Sequence, residues 1–339
     1  MIGQGRLSEK EVLAQSRAAF GQWESKWKDY ASRNGIVYKR QQTSHRHLLH
    51  SGYGKVLIVC GMGASLEKHI ATLKEYQNKS GVEISVCDKG YKILMENGIK
   101  PKYVVVADAV VDYEKWAEPF IEESKDVNLI SCITANPKWA ENWKGKVYFW
   151  VNKDNIQSEL VFTKISGCNE LIPASSNVGN SNLVFSTQIL GYDEYYLVGY
   201  DFSWKPNENY YAFNDSDKRY WMKVGQSFGS DNSISYTSSN LLFSCRWLQD
   251  FINGPMKVHG YNIYNCSGQG ILNMPAGDLV RKLKRFKQRY PDAETDKAHR
   301  MARGLVKRIA TIQELIDLQK ENEVYSIEAH YGQREYAAC

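Results

Sequence analysis

Ala174-Ser175-Ser176-Asn177-Val178-Gly179-Asn180-Ser181-Asn182-Leu183-Val184-Phe185-Ser186-Thr187-Gln188-Ile189-Leu190-Gly191-Tyr192-Asp193-Glu194-Tyr195-Tyr196-Leu197-Val198-Gly199-Tyr200-Asp201 is the stretch whose reading decides the fold. A polar, Gly-containing loop leads into one helix, and a short apolar strand follows that ends in an acid. Ser175, Ser176 and Asn177 stand where they cap the helix and leave neighbouring N–H groups facing outward to receive an anion. Tyr195 to Val198 reads as the strand, and Gly199-Tyr200-Asp201 sets a carboxylate just past its carboxyl end. In open α/β sheets ligands bind at that edge. The pattern suits a phosphate-bearing ligand, most simply a nucleotide.

A second unit of the same kind lies upstream. Lys55 to Cys60 is an apolar run of buried-strand length, Gly61-Met62-Gly63-Ala64-Ser65-Leu66 follows at once, and Glu67 to Tyr76 has helical spacing. Strand, Gly-x-Gly-x-Ser turn and helix is a geometry in which small residues let backbone approach phosphate oxygens. The same glycines also serve an ordinary strand-to-helix turn. The third glycine of the dinucleotide fingerprint is missing, so the turn is not read as an NAD site. Two further strands, Glu83 to Cys87 and Tyr103 to Ala107, end in Asp88 and Asp108. Carboxylates there hold ribose hydroxyls, a metal ion or a proton, or simply cap the helices that follow.

These motifs carry a resemblance. Gly61-x-Gly63-x-Ser65-Leu66, Cys87-Asp88-Lys89, Asn97-Gly98-Ile99-x-Pro101, Val104 to Asp108, Ser176-Asn177-Val178-Gly179-Asn180 and Leu197-Val198-Gly199-Tyr200-Asp201-Phe202-Ser203 stand in this order. Together, over roughly residues 50 to 275, they resemble the 6-hydroxymethylpterin diphosphokinase-like proteins of archaea and the bacterial motility accessory factors, which are associated with placing nonulosonic acids on flagellin. Leu190-Gly191-Tyr192 through Phe202, followed by Tyr211-Ala212-Phe213, is also similar to bacterial sialyltransferases that use a CMP-linked sugar. That similarity implies a donor site lined by Gly61, Gly63, Ser65, Ser176, Asn177 and Asn180, with Tyr210 and Tyr211 approaching the phosphate or sugar. The strand-end place of Asp88 adds it to these binding candidates. Two positions depart from the sialyltransferase pattern. Met62 stands where those enzymes carry Asn, and Ser235-Tyr236-Thr237-Ser238-Ser239 has no counterpart of their catalytic His.

Composition bounds the rest. The 339 residues are 43% hydrophobic and 24% charged with a net charge of +5, which is ordinary for a globular chain. No apolar run approaches the ~18–20 residues of a membrane span, and no secretion signal is read at the start, so a cytoplasmic setting is expected. Seven cysteines lack C-x-x-C spacing, and several fall in expected strands (Cys60, Cys87, Cys132). They are expected as buried free thiols, not zinc ligands. Basic residues crowd one C-terminal region from Arg281 to Arg308. Such a face tracks phosphates or an anionic surface, or is a solvated or oligomer-contact face.

The expected fold is α/β, a Rossmann-like, mostly parallel sheet flanked by helices. Helical additions stand at both ends: 1–50, then the nucleotide-binding catalytic domain 51–275, then a basic segment 276–339. Ser8 and Glu11 form a capping box ahead of a helix whose apolar stripe (Val12, Ala19, Trp23, Trp27, Tyr30) ends near Asn34-Gly35. Val127 to Cys132 and Lys146 to Val151 are further strands, and Trp204 to Ser235 reads as one long loop, a mobile lid or a static surface segment. From 275 onward the chain reads as helical, with Ile309, Ile312 and Leu315 on its apolar face.

Three reaction classes stay open. A glycosyltransferase using a nucleotide sugar, CMP-linked nonulosonate-like or other, needs a phosphate cradle, a base and leaving-group stabilisation. Asp201 is the expected base and Asp108 the second candidate, for a sugar hydroxyl or a metal. A diphosphokinase needs Mg²⁺ held by clustered carboxylates, and Asp112 is the one further acid close to Asp108. A non-catalytic nucleotide- or nucleic-acid-binding module is the third. The acceptor and the oligomeric state are not legible, and no resident cofactor or metal ligand is assigned.

Overall fold

The computed structural model describes residues 9–289, apart from 154–155, 174, 206–207, 209–210, 214–223, 229–233, 258–259 and 275. The chain divides into two units, Met1–Arg289 and Tyr290–Cys339, and the described residues all belong to the first. The capping box at Ser8, the basic residues beyond Arg289 and the apolar stripe around Ile312 lie outside them.

Eight strands form one parallel sheet: β1 (Val56–Cys60), β2 (Val82–Cys87), β3 (Tyr103–Val106), β4 (Asn128–Cys132), β5 (Val147–Lys153), β6 (Leu171–Pro173), β7 (Glu194–Val198) and β10 (Asn262–Asn265), in the order β10-β7-β1-β2-β3-β4-β5-β6. The runs Val56–Cys60, Tyr103–Val106 and Glu194–Val198 are buried at every position. Continuous apolar strands of this kind are what a parallel sheet covered on both faces demands. The α/β expectation holds. From β1 the chain winds outward strand by strand to β6. It then returns through helix α7 (Val178–Phe185) to β7 on the other side of β1. Strand order therefore reverses between β1 and β7, and the carboxyl ends of those two strands frame the crevice where open sheets bind ligands.

Helix α1 (Glu9–Gln41) runs past the expected stop at Asn34-Gly35. Gly35 is no cap: a side chain there would meet the backbone of Ser166, at the end of α6 (Ile156–Ser166), at 2.7 Å. Asn34 is fully buried and its amide donates to Ile133 O and Ala135 O, each at 2.9 Å. Tertiary contact, not chain termination, explains both residues. The expected loop 204–235 also contains structure. Strands β8 (Val224–Phe228) and β9 (Ile234–Ser238) pair antiparallel, and Trp204 bridges Tyr236. The alternation in Ile234-Ser-Tyr-Thr-Ser238 is the period-2 signal that a loop reading passes over. Ser238 then caps helix α8 (Ser239–Phe251) through Leu241 N. Helix α9 (Leu279–Arg289) closes the first unit with Leu279, Leu283 and Phe286 buried. All six cysteines from Cys60 to Cys266 are buried free thiols. No helix among the described residues is long and apolar enough to cross a membrane.

Candidate active site

Two glycines bring β1 and β7 together at the switch point. A side chain on Gly61 would sit 2.5 Å from Gly199 O, and one on Gly199 would sit 2.6 Å from Gly61 O. Gly61 N and Gly63 N donate to Val198 O and Gly199 O at 2.8 and 2.9 Å. Gly199 also holds φ at +70°, where a Cβ is penalised. Close strand approach is thus sufficient reason for Gly61. Gly63 has a different neighbour, since a side chain there would meet the Asp201 carboxyl carbon at 2.6 Å.

Asp201, at the expected place past β7, is 1% exposed. Its carboxylate accepts from Ser65 N (2.8 Å), from the Ser65 hydroxyl and from Gln269 Nε2 (3.2 Å). Burial pushes it up to about 6, against the pull of the Ser65 and Gln269 hydrogen bonds and with the push of Glu208. The expected base therefore has both oxygens engaged within the fold, where they order the Gly61–Ser65 turn.

Asp88 opens helix α3 (Asp88–Glu96) at the carboxyl end of β2. It is 4% exposed, and one of its oxygens accepts from Lys89 N at 2.6 Å. Burial raises it to about 6; Lys89 opposes the rise and Asp108 adds to it. Asp108, after β3, is exposed and accepts from Val110 N at 2.9 Å. The two acids expected at one edge are thus electrostatic neighbours. Asp112 caps α4 (Tyr113–Trp116) by accepting from Lys115 N.

Asn177 caps α7, its side chain accepting from Asn180 N at 2.8 Å. Asn180 is fully buried; its amide donates to Ser176 Oγ (3.0 Å) and Ser244 O (2.9 Å). Tyr200, between the two glycine-rich segments, donates its hydroxyl to Gly179 O at 2.6 Å. The start of α7, the end of β7 and the β1 turn therefore meet. Ala212 and Phe213 then return to that turn, with Ala212 N donating to Met62 O (2.9 Å) and Phe213 N to Glu67 Oε1 (2.7 Å). Phe202 and Phe213 hold φ at +51° and +54°. Bulky residues in the left-handed region cost on the order of 1–3 kcal/mol each and cluster at binding segments.

This return carries Tyr211 to Lys89. The ammonium lies 4.5 Å from the Tyr211 ring centroid, 3.5 Å from its hydroxyl and 5.9 Å from the Trp116 ring. Two rings hold one cation beside Asp88 at the mouth of the site. Sequence reasoning passed over Lys89, Trp116 and Gln269 as functional groups, because none sits in a phosphate-loop spacing. Tyr210 lies outside the described residues, as do Arg219, Tyr220 and Lys223 of the expected lid.

Residues 36–207, just over half of the chain, match the family described as MptE-like: 6-hydroxymethylpterin diphosphokinase MptE-like. The chain belongs to this family. The fold is also similar to the solved structure of MAf glycosyltransferase from Magnetospirillum magneticum AMB-1, with a TM-score of 0.53 at 20% identity. That likeness covers 74% of this chain and 37% of the other, so the chain spans little more than a third of the protein it resembles. No curated protein matches the chain. The MptE-like span contains the Gly61–Ser65 turn, Asp88, Asp108, the α7 cap and Asp201, and it stops before Tyr211 and Gln269.

Proposed function

We propose that this MptE-like chain is a glycosyltransferase that takes its sugar from a nucleotide-sugar donor. The observation that carries the reading is the juxtaposition at the β1–β7 switch point. A Gly-Ser turn, the first turn of α7 and one ring-held ammonium, Lys89, converge there beside Asp88 and Asp108. The α7 N-terminus and Lys89 suit the phosphate of a nucleotide leaving group, whose growing charge they would stabilise as the sugar bond breaks. Asp88, held near 6 by burial, suits a proton acceptor working close to neutral pH, with Asp108 orienting a hydroxyl. Gly61, Gly63, Ser65, Ser176, Asn177 and Asn180 shape the cradle, Tyr211 offers its ring to base or sugar, and Asp201 positions the turn. The MAf likeness agrees with a sugar transferase, and a CMP-linked donor follows from the sialyltransferase resemblance.

The family's name favours a second reading, transfer of diphosphate. That chemistry draws on several carboxylates around Mg²⁺. Of the acids at this edge, Asp201 is held by Ser65 and Gln269 and Asp112 caps α4, and no group of three or more His, Cys, Asp or Glu among the described residues is arranged to hold a metal. A thermal-shift series with CMP, UDP, GDP and ATP, with and without Mg²⁺, separates the readings. Stabilisation by a nucleoside monophosphate or diphosphate without Mg²⁺, followed by release of that nucleotide from its sugar conjugate, is the expected result. Binding of ATP alone, strictly with Mg²⁺, would instead select the diphosphokinase.

A further inference from the structure

We infer that Gln269 is a positioning residue of this site: its carboxamide latches the segment after Asp201 onto the Gly61–Ser65 turn. Gln269 follows β10 and is 2% exposed. Its Oε1 accepts from Lys68 Nζ, on the helical turn that leaves the Gly-Ser loop. Its Nε2 donates to Asp201 Oδ2 and to Glu208 Oε2, both at 3.2 Å. One cation at the oxygen and two carboxylates at the nitrogen leave the amide a single orientation. Two stretches of chain, around Lys68 and around Asp201 and Glu208, therefore meet on one uncharged side chain.

The backbone reinforces the contact. Gly270 lies so close that a side chain there would stand 2.4 Å from Asp201 O, and Ile271 N donates to that same oxygen at 2.9 Å. Ser267 Oγ accepts from Tyr200 N at 3.0 Å. Phe202 and Phe213, on either side of Glu208 in the chain, are both left-handed. Conformations of that kind persist only where the surroundings over-determine them. The ties of Ala212 to Met62 and Phe213 to Glu67 hold the chain at Phe213, and the Gln269–Glu208 contact holds it at Glu208. A carboxylate at 269 could not replace the amide, since it would face Asp201 and Glu208 with only Lys68 to offset it.

The latch rests on geometry alone; its effect on affinity rests on the nucleotide reading above. The test is amide hydrogen exchange in the full chain carrying Gln269→Met, Glu208→Ala or both, together with the affinity for CMP. Exchange at Ala212 and Phe213 should rise about tenfold in Glu208→Ala, the scale of one lost hydrogen bond. It should rise at least as much in Gln269→Met, where Ser65 should rise with them because Asp201 also loses its Gln269 partner. Val105 and Ile130, in β3 and β4, should keep their protection. The double variant should show no more than the Gln269→Met effect, because the contact that Glu208→Ala breaks is one of the three that Gln269→Met already removes. CMP affinity should fall by a similar factor. Unchanged exchange at Ala212 and Phe213, or fully additive effects, would overturn the latch. If Gln269→Met does not fold, unchanged exchange in Glu208→Ala overturns it alone. Raised exchange in a protein that binds none of the nucleotides would support the latch and remove the nucleotide reading.

Discussion

The carboxylate of Asp201 accepts both the backbone N–H and the hydroxyl of Ser65, 136 residues away in sequence. The contact spans the reversal of strand order, from the first turn after β1 to the first loop after β7. It adds side-chain ties to a turn that Gly61 N and Gly63 N already anchor to the end of β7. The acid at the sheet edge is thereby tied into the scaffold on both of its oxygens.

Asp201 should mark itself in the pH dependence of stability. Burial moves its carboxyl from an ordinary 3.8 to about 6, so the folded chain keeps a proton that the unfolded chain has released. The resulting stabilisation is complete below the lower value and lost as pH rises through the upper one. A shift of that size is worth on the order of 3 kcal/mol. Asp201→Asn, which cannot ionise, should therefore lose less stability than the wild type between about pH 4 and about pH 7.5. Urea unfolding at the two pH values measures this, and equal losses would show that Asp201 is far better solvated than its burial implies.

The paired glycines should tolerate no side chain. Gly61→Ala directs its methyl at Gly199 O from 2.5 Å, backbone against backbone in the middle of a sheet, and should cost about 1–3 kcal/mol. Gly63→Ala meets the Asp201 carboxyl instead. It should weaken ligand binding and stability together, because the Ser65 contact must yield. Equilibrium unfolding beside nucleotide titration checks both, and a Gly61→Ala protein of wild-type stability would mean that the two strand ends part easily.

Lys89 should read phosphate. With CMP and cytidine compared by calorimetry, Lys89→Met should lower CMP affinity at least tenfold, as loss of a charge-assisted hydrogen bond does. Cytidine affinity should hardly change. Equal losses for the two ligands would assign Lys89 to the packing of Tyr211 and Trp116.

Asp88 should set the acid limb of the rate. Once a transferable donor is found, turnover should rise with pH through about 6, the value to which burial brings Asp88. Asp88→Asn should remove that limb and lower the rate by 10²–10⁴-fold, the range of general-base catalysis. Asp201→Asn should keep the limb, and if the limb vanishes with Asp201 in place of Asp88 the two assignments exchange.

Much of the scaffold was legible in local pattern. Runs such as Val56–Cys60 and Tyr103–Val106 are too short and apolar for anything but covered strands, and the turns after them carry glycine or acid where a crossover begins. Asn177 announced the start of α7 because a cap acts within three residues of itself. The failures have a common cause. Gly35 has the composition of a helix stop, but it is small because Ser166 presses against it. The strands Val224–Phe228 and Ile234–Ser238 carry a weak alternation that only their pairing makes decisive.

By itself, then, the sequence determined the parallel α/β class, the glycine turn at the sheet edge and the delivery of Asp88, Asp108 and Asp201 to strand ends. Each of these is written in periodicity or capping within a dozen residues. Only the tertiary structure decided which acid is engaged by the fold, that Lys89 stands between Trp116 and Tyr211, and that Gln269 joins Lys68, Asp201 and Glu208. Those contacts pair residues from 27 to 201 positions apart, or bridge through a third. Burial and charge balance depend on which distant groups the folded chain sets side by side, and no local pattern encodes that.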